Sequence, residues 1–187
     1  MSQLVGKDSR DRWYPNSIND LKDYILTYHK LNNDTKSGLV SNLAYNFQYI
    51  EYLRKTLLEL NLSTVLKTQT IKSFIITSLS IIEALIIEIS SSKKNVRFNI
   101  AIEKFKKLRN CPFNNDDIQI LDKLRVLRNH IHLNKASDSS STDYKKFWIV
   151  DYCETKRLLY ILITSKHFES NEKDLFQFLN KNKVYEK

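Results

Sequence analysis

The stretch "SFIITSLSIIEALII", Ser73 to Ile87, is the one segment of this chain that is apolar enough to raise the question of a membrane span. A spanning helix needs roughly 20 apolar residues. This stretch has 15 residues and contains Glu83. On a helix its apolar side chains cover nearly every side, which is typical of a helix at the centre of a bundle. We therefore expect a buried core helix and no membrane partner.

Turn-forming residues are scarce in the whole chain. The 187 residues include 2 Gly and 2 Pro, whereas sheet-rich folds need many turns. We therefore predict an all-α fold, a multi-helix bundle. A single domain is the default at this length, so we expect residues 1–16 to form an irregular N-terminal arm and residues 17–187 a single helical domain.

Apolar residues at helical spacing predict further helices on both sides of the central one. The predicted ranges, central helix included, are 18–31, 39–60, 64–90, 98–109, 117–132, 144–165 and 173–179. In the helix 39–60, Tyr45, Tyr49 and Tyr52 form a row that we place beside the apolar stripe. Such a row can stack on bases, but packing in the core or between helices is commoner and is what we expect.

Basic residues outnumber acidic residues by 30 to 21, which gives a net charge of +9. This excess favours a polyanionic partner such as RNA, although it also promotes solubility. Cys111 and Cys153 lie in unlike contexts and form no CxxC pair, and the first residues contain no apolar signal segment. We therefore expect free thiols and a cytoplasmic location.

The segment "DKLRVLRNHIHLNK", Asp122 to Lys135, holds four basic residues and two of the four histidines. A helix over residues 117–132 has two neighbouring stripes whose members follow one another at steps of four, three and four residues. The buried stripe is Ile120, Leu124, Leu127 and Ile131, and the second stripe is Leu121, Arg125, Arg128 and His132. Arg128 and His132 are then about 40° apart, while His130 points to the opposite side. This geometry pairs His132, rather than His130, with the arginines.

The polar side chains of this segment suit chemistry on phosphate. Arginine forks hydrogen bonds onto phosphate oxygens, histidine moves a proton near neutral pH, and Asn129 can orient either group. The set fits RNA cleavage by attack of the 2′-hydroxyl on its own phosphate, with Arg125 or Arg128 stabilising the developing charge. The sequence has no metal-ligand motif, no phosphate-binding glycine loop and no nucleophilic serine motif, so we expect no cofactor and no metal.

Glu83 is a carboxylate with apolar neighbours along the chain. An unpaired buried carboxylate is costly, so we expect an ion pair with Arg125 or Arg128. Such a pair would connect the central helix to the basic segment. Glu88, nearer the end of the same predicted helix, is expected to lie in solvent.

The run "SLSIIEALIIEIS", followed about forty residues later by "ILDKLRVLRNHIHL", resembles the HEPN superfamily (higher eukaryotes and prokaryotes nucleotide-binding domain). The resemblance covers roughly residues 70–165 and implies an all-helical bundle with an arginine followed, after four to six residues, by a histidine. Arg125 fits this motif with either His132 or His130, with six or four intervening residues. The pair Arg128-Asn129 also matches the family, with His132 one residue earlier than the commonest spacing.

This resemblance implies a metal-independent endoribonuclease of a toxin–antitoxin or phage-defence system. It implies a homodimer, because two protomers of the family usually pair their motif helices to form the site, with RNA as substrate and an antitoxin or defence protein as a further partner. The site residues that it implies are Arg125, Arg128, Asn129 and His132, with His130 as the alternative histidine and Glu83 in support. Some members are inactive, so the alternative is a catalytically inactive scaffold that binds RNA or a partner protein.

Overall fold

The computed structural model describes residues 15–90, 96–129, 146–168 and 173–180, so most of the predicted arm lies outside the described residues. All regular structure in these ranges is helical, which confirms the all-α prediction. The α-helices are α1 (Ile18–Leu26), α2 (Ser37–Glu59), α3 (Thr64–Ser90), α4 (Phe98–Phe105), α5 (Asn115–Arg128), α6 (Ile149–Ile163) and α7 (Gln177–Asn180). Short 3₁₀-helices precede α2 and α7, at Asp34–Lys36 and Lys173–Phe176.

Helix α3 lies at the centre of the fold and packs against α2, α4, α5 and α6, as the prediction of a core helix required. It is the one helix in the described ranges that is long and apolar enough to cross a membrane, and 50% of its most apolar window is buried inside the protein. Burial of each large apolar side chain contributes about 1.5–3 kcal/mol. The side chains of α3 with almost no exposure are Phe74, Ile75, Leu79, Ile81, Ile82, Leu85 and Ile86.

The first helices and the end of the chain meet in the same core. Tyr24 of α1 and Phe47 of α2 both contact the ring of Phe176, with ring centroids 4.8 Å and 5.0 Å apart. The Tyr24 hydroxyl donates a hydrogen bond to the Ile163 carbonyl oxygen at 2.8 Å. These contacts connect α1 to the C-terminal end of α6, and both α1 and α2 to the 3₁₀-helix before α7, within one hydrophobic cluster.

Two helices end earlier than predicted because their last residues form tighter turns. Helix α1 ends at Leu26, and within the following residues the Leu31 amide donates to the Tyr28 carbonyl oxygen at 2.8 Å. After α4, the Leu108 amide donates to the Phe105 carbonyl oxygen at 3.0 Å. These bonds span three residues, as in a 3₁₀-helix, and short turns of this kind are common at helix ends.

The tyrosine row of α2 is exposed, so the prediction that it packs in the core or between helices is wrong. Tyr45, Tyr49 and Tyr52 are 53%, 46% and 42% exposed. At 100° per residue, Tyr45 lies about 200° around the helix from the buried Leu43 and Phe47. The row is therefore opposite the apolar stripe rather than beside it. The rings of Tyr49 and Tyr52 stack on each other, with centroids 6.3 Å apart.

Candidate functional site

Helix α5 carries the basic segment and has a well-defined start. The Asn114 side chain accepts a hydrogen bond from the Asp117 amide at 2.8 Å, and the Asp117 carboxylate accepts one from the Asn114 amide at 3.1 Å. This reciprocal pair is a capping box, which satisfies two amides that the first turn leaves free. Asp116 and Asp117 also place negative charge at the positive end of the helix dipole.

The end of α5 differs from the prediction. The helix ends at Arg128, and Asn129 is its C-cap, whereas the predicted helix continued to residue 132. Both candidate histidines, His130 and His132, lie outside the described residues. The geometric preference for His132 over His130 required a helix through residue 132, so α5 gives that preference no support. The choice between the two histidines stays a prediction that rests on the family spacing.

The buried face of α5 is rotated relative to the predicted one. Asp117, Leu121 and Leu124 are buried, whereas Ile120 and Leu127 are only partly buried. The steps from Asp117 to Leu121 and from Leu121 to Leu124 are four and three residues, and a further step of four reaches Arg128. Arg128 therefore lies on the core-facing side of α5, at its last turn, and points towards α3.

Arg128 and Glu83 form an ion pair that joins α5 to α3. The Arg128 Nη1 group donates to Glu83 Oε2, and the two side chains are 29% and 26% exposed. Of the two partners expected for Glu83, the structure therefore shows Arg128. Arg125 makes a different contact, since its Nε donates to Asp122 Oδ1 one turn away at 2.7 Å. Because the pair is a quarter exposed, the Glu83 carboxylate is less desolvated than its apolar sequence neighbours led us to expect.

Glu88 is not the solvated carboxylate that was predicted. Its side chain is 17% exposed, less than that of Glu83, and it accepts a hydrogen bond from the Lys36 ammonium at 2.6 Å. Lys36 lies in the 3₁₀-helix before α2, 52 residues earlier in the chain. The long lysine side chain reaches the carboxylate and pairs it at the edge of the bundle, which makes the partial burial of both groups tolerable.

Two ion pairs fix how α5 lies against α6. Asp117 in the first turn of α5 accepts from Arg157 in the second half of α6 at 2.7 Å. Lys123 in the middle of α5 lies 3.5 Å from Asp151 in the first turn of α6. The two helices are therefore antiparallel, and Arg128 lies at the same end of the fold as the start of α6.

Three exposed apolar side chains lie near this end of the fold. Val126 of α5, Trp148 before α6 and Val150 of α6 are 46%, 66% and 62% exposed. The Trp148 amide donates to Asp151 at 3.1 Å, and Asp151 in turn contacts Lys123, one turn before Val126. We call these three residues the apolar rim. Apolar side chains gathered on one part of a surface are typical of a protein–protein contact.

His167 is a histidine that the sequence analysis did not single out. Its ring lies at the edge of the core, with centroids 6.1 Å from Tyr28 and 6.5 Å from Phe105. Burial lowers the pKa of His167, a hydrogen bond with the Asn110 backbone acts in the opposite direction, and the positive charge of Lys30 lowers it further. Apolar spacing in the sequence does not predict this position, because the residues around His167 come from the turn after α1, from the end of α4 and from the turn after α4.

We expect His167 to make the folded protein less stable in mild acid. The unfolded chain takes up this proton near its ordinary pKa of about 6.5, whereas the folded protein takes it up only at lower pH. Unfolding therefore binds a proton below about pH 6.5, and the free energy of unfolding falls as the pH decreases through this window. Urea unfolding at several pH values between 7 and 5 measures the slope. The His167→Gln variant should show a shallower slope, and an unchanged slope would contradict the assignment.

The described residues contain no group of three or more His, Cys, Asp or Glu side chains that could hold a metal ion. Comparison with protein-family models, curated proteins and solved structures gave no match to this chain. The HEPN resemblance therefore rests on residues 78–90 and 120–133 of the sequence, and the Glu83–Arg128 pair joins these two segments in the structure.

Proposed function

We propose that this protein is a metal-independent endoribonuclease of HEPN type that acts as a toxin or a phage-defence component. The observation that carries the proposal is the Glu83–Arg128 ion pair. It holds an arginine at the last turn of α5, directly before Asn129 and a segment with two histidines. A carboxylate that orients a guanidinium, followed closely in the sequence by two groups that can transfer protons, is a combination suited to phosphate chemistry.

Arg128 has donors left for a phosphate after it has paired with Glu83. A guanidinium has five N–H donors in a rigid fork, and the contact with Glu83 uses the Nη1 group. The other donors can bind the non-bridging oxygens of a phosphodiester and stabilise the charge that develops on them. Glu83 acts in this scheme as a positioning residue. It fixes the orientation of the fork and does not contact the substrate.

The proposed reaction needs one base, one acid and no metal. A neutral histidine, His132 or His130, takes the proton of the 2′-hydroxyl, and the 2′-oxygen forms a bond to phosphorus. The bond between phosphorus and the 5′-oxygen breaks, and a protonated histidine gives its proton to that oxygen. The products are a 2′,3′-cyclic phosphate and a 5′-hydroxyl. A second protomer supplies the second histidine, so the proposal includes a homodimer with RNA bound between the two motif segments.

We expect the dimer to use the apolar rim. Burying Val126, Trp148 and Val150 against a second copy would remove apolar surface from water at the end of the fold where Arg128 lies. Light scattering at micromolar concentration should give about twice the chain mass of 22.2 kDa. Trp148→Ser and Val150→Ser should shift the protein towards the monomer, while Leu66→Ser, at a similarly exposed position of α3, should not. A strict monomer that cuts RNA would rule out the shared site.

A second candidate function is favoured by a specific observation. Both arginines of the site already pair with carboxylates, Arg128 with Glu83 and Arg125 with Asp122. Pairing of this kind is also what a structural ion-pair network shows. The second candidate is therefore a catalytically inactive scaffold that binds RNA, or a partner protein such as an antitoxin.

Incubation of the purified protein with total RNA in EDTA separates the two candidates. Cleavage in the chelator supports the endoribonuclease. Saturable RNA binding without cleavage supports the scaffold. If the protein neither cleaves nor binds RNA, the ribonuclease proposal is wrong, and a partner protein becomes the expected ligand.

A further inference from the structure

A cavity of about 590 Å³ lies between the turn that follows α4 and the C-terminal end of α6. Pockets for small ligands usually have volumes of roughly 300–1,000 Å³. The site proposed above is formed by α3 and α5, and it shares no residue with this cavity. The side chains of the cavity that bear on its chemistry are Arg109, Cys111, Tyr160, Thr164, Ser165 and Lys166.

The cavity is positively charged. Arg109 and Lys166 line it, both are exposed, and neither forms an ion pair within the described residues. Lys104, Lys106 and Lys107 lie two to five residues before Arg109 in the sequence, and of these Lys106 is paired with Glu103, at 2.6 Å. The segment that leads to Arg109 is therefore basic as well. Such a site attracts anions.

Two backbone carbonyls at the end of α6, beside the cavity, accept hydrogen bonds from within the chain. The Thr164 amide and hydroxyl both donate to the Tyr160 carbonyl oxygen, at 3.0 Å and 2.7 Å. The Ser165 amide donates to the Leu162 carbonyl oxygen at 3.2 Å. These bonds satisfy two carbonyls at the end of α6, where the helix dipole is partly negative. Burial and the negative charge of Asp117, which is paired with Arg157, raise the pKa of the Cys111 thiol, so this group stays uncharged near neutral pH.

We infer that this cavity binds a small phosphate-bearing ligand. The Arg109 guanidinium and the Lys166 ammonium would hold the phosphate, since arginine forks onto phosphate oxygens and lysine acts as a point charge. Tyr160 would lie against the organic part of the ligand. Cations near helix ends also stabilise the helix dipole, but that role requires no cavity between them. The inference does not depend on ribonuclease activity.

Calorimetric titration of the full chain with AMP, inorganic phosphate and adenosine tests the inference. AMP should bind with one site per chain. Arg109→Ala and Lys166→Ala should each weaken AMP binding about tenfold or more, because each removes a charged hydrogen-bonding partner. Lys107→Ala is the matched control, since it removes the same charge from the same segment but does not line the cavity. It should change the affinity about twofold at most.

Each outcome of the titration decides a part of the inference. If AMP binds more tightly than phosphate, the result supports both proposed roles: the two cations hold the phosphate, and Tyr160 contacts the organic part of the ligand. If AMP and phosphate bind with equal affinity, the phosphate site is supported and the proposed contact with Tyr160 is wrong. Adenosine that binds as well as AMP overturns the phosphate site. If AMP shows no saturable binding, the inference is wrong. It is also wrong if Lys107→Ala and Arg109→Ala lose the same AMP affinity, because binding would then reflect only the general attraction of anions to a chain with a net charge of +9.

Discussion

Replacement of His132 by alanine is expected to slow RNA cleavage by about 10²–10⁴-fold, the usual contribution of a positioned proton donor or acceptor. The folded state should be nearly as stable as the unchanged protein, because a histidine that reaches substrate in a wet cleft contributes little to packing. Single-turnover cleavage rates and thermal unfolding of the same preparation measure both effects. A large loss of rate at constant melting temperature is the signature of a catalytic residue.

His130→Ala is the matched control, two residues away on the same segment. If His130→Ala loses cleavage and His132→Ala does not, the catalytic role moves to His130, since both spacings from Arg125 fit the family motif. If neither variant loses cleavage, the site on this segment is not catalytic. If His132→Ala unfolds the protein, His132 is a structural hydrogen-bonding residue instead.

Replacement of Arg128 by alanine is expected to lower both cleavage and stability. Loss of a group that stabilises the charge of the transition state costs about 10²–10³-fold in rate. An exposed ion pair contributes up to about 1 kcal/mol, and breaking a fully buried pair costs about 3–5 kcal/mol. Since Arg128 and Glu83 are 29% and 26% exposed, we expect the free energy of unfolding to fall by an intermediate amount, about 1.5–3 kcal/mol.

Two further variants separate the chemistry of Arg128 from its structural contact. Arg128→Lys keeps the charge and loses the fork, so cleavage should fall by more than stability does. Glu83→Ala should lower cleavage less than Arg128→Ala, and it should have little further effect on cleavage when Arg128 is already alanine. Independent, multiplicative effects of the two substitutions would contradict the role of Glu83 as a positioning residue.

The bounds of α3 and the start of α5 were predictable because local residues determine them. The apolar run from Ser73 to Ile87 favours a buried helix in a chain with few turn residues, and polar segments flank the helix Thr64–Ser90 on both sides. Asn114 and Asp117 form a capping box from their own side chains, without help from another helix. The ends of α1, α4 and α5 were not predictable to the residue, because helical and 3₁₀ turns are nearly equal in energy there.

The site was only partly predictable, because its contacts join distant parts of the chain. The cost of a carboxylate in an apolar helix pointed to a cation for Glu83, and the structure provides Arg128. The partner of Glu88, Lys36, lies in the 3₁₀-helix before α2, and no sequence pattern connects the two residues. Arg54 and Lys156 are buried cations, and no sequence pattern predicted their burial.

The chemistry of the ends of cleaved RNA tests the central claim most directly. The protein and its His132→Ala variant are incubated with a defined RNA in EDTA, and the ends of the products are identified. Attack by the 2′-hydroxyl predicts 2′,3′-cyclic phosphate and 5′-hydroxyl ends from the unchanged protein and no such products from His132→Ala. Cleavage that requires Mg²⁺, or products with 5′-phosphate ends, would contradict a metal-independent reaction at Arg128 and the histidine segment.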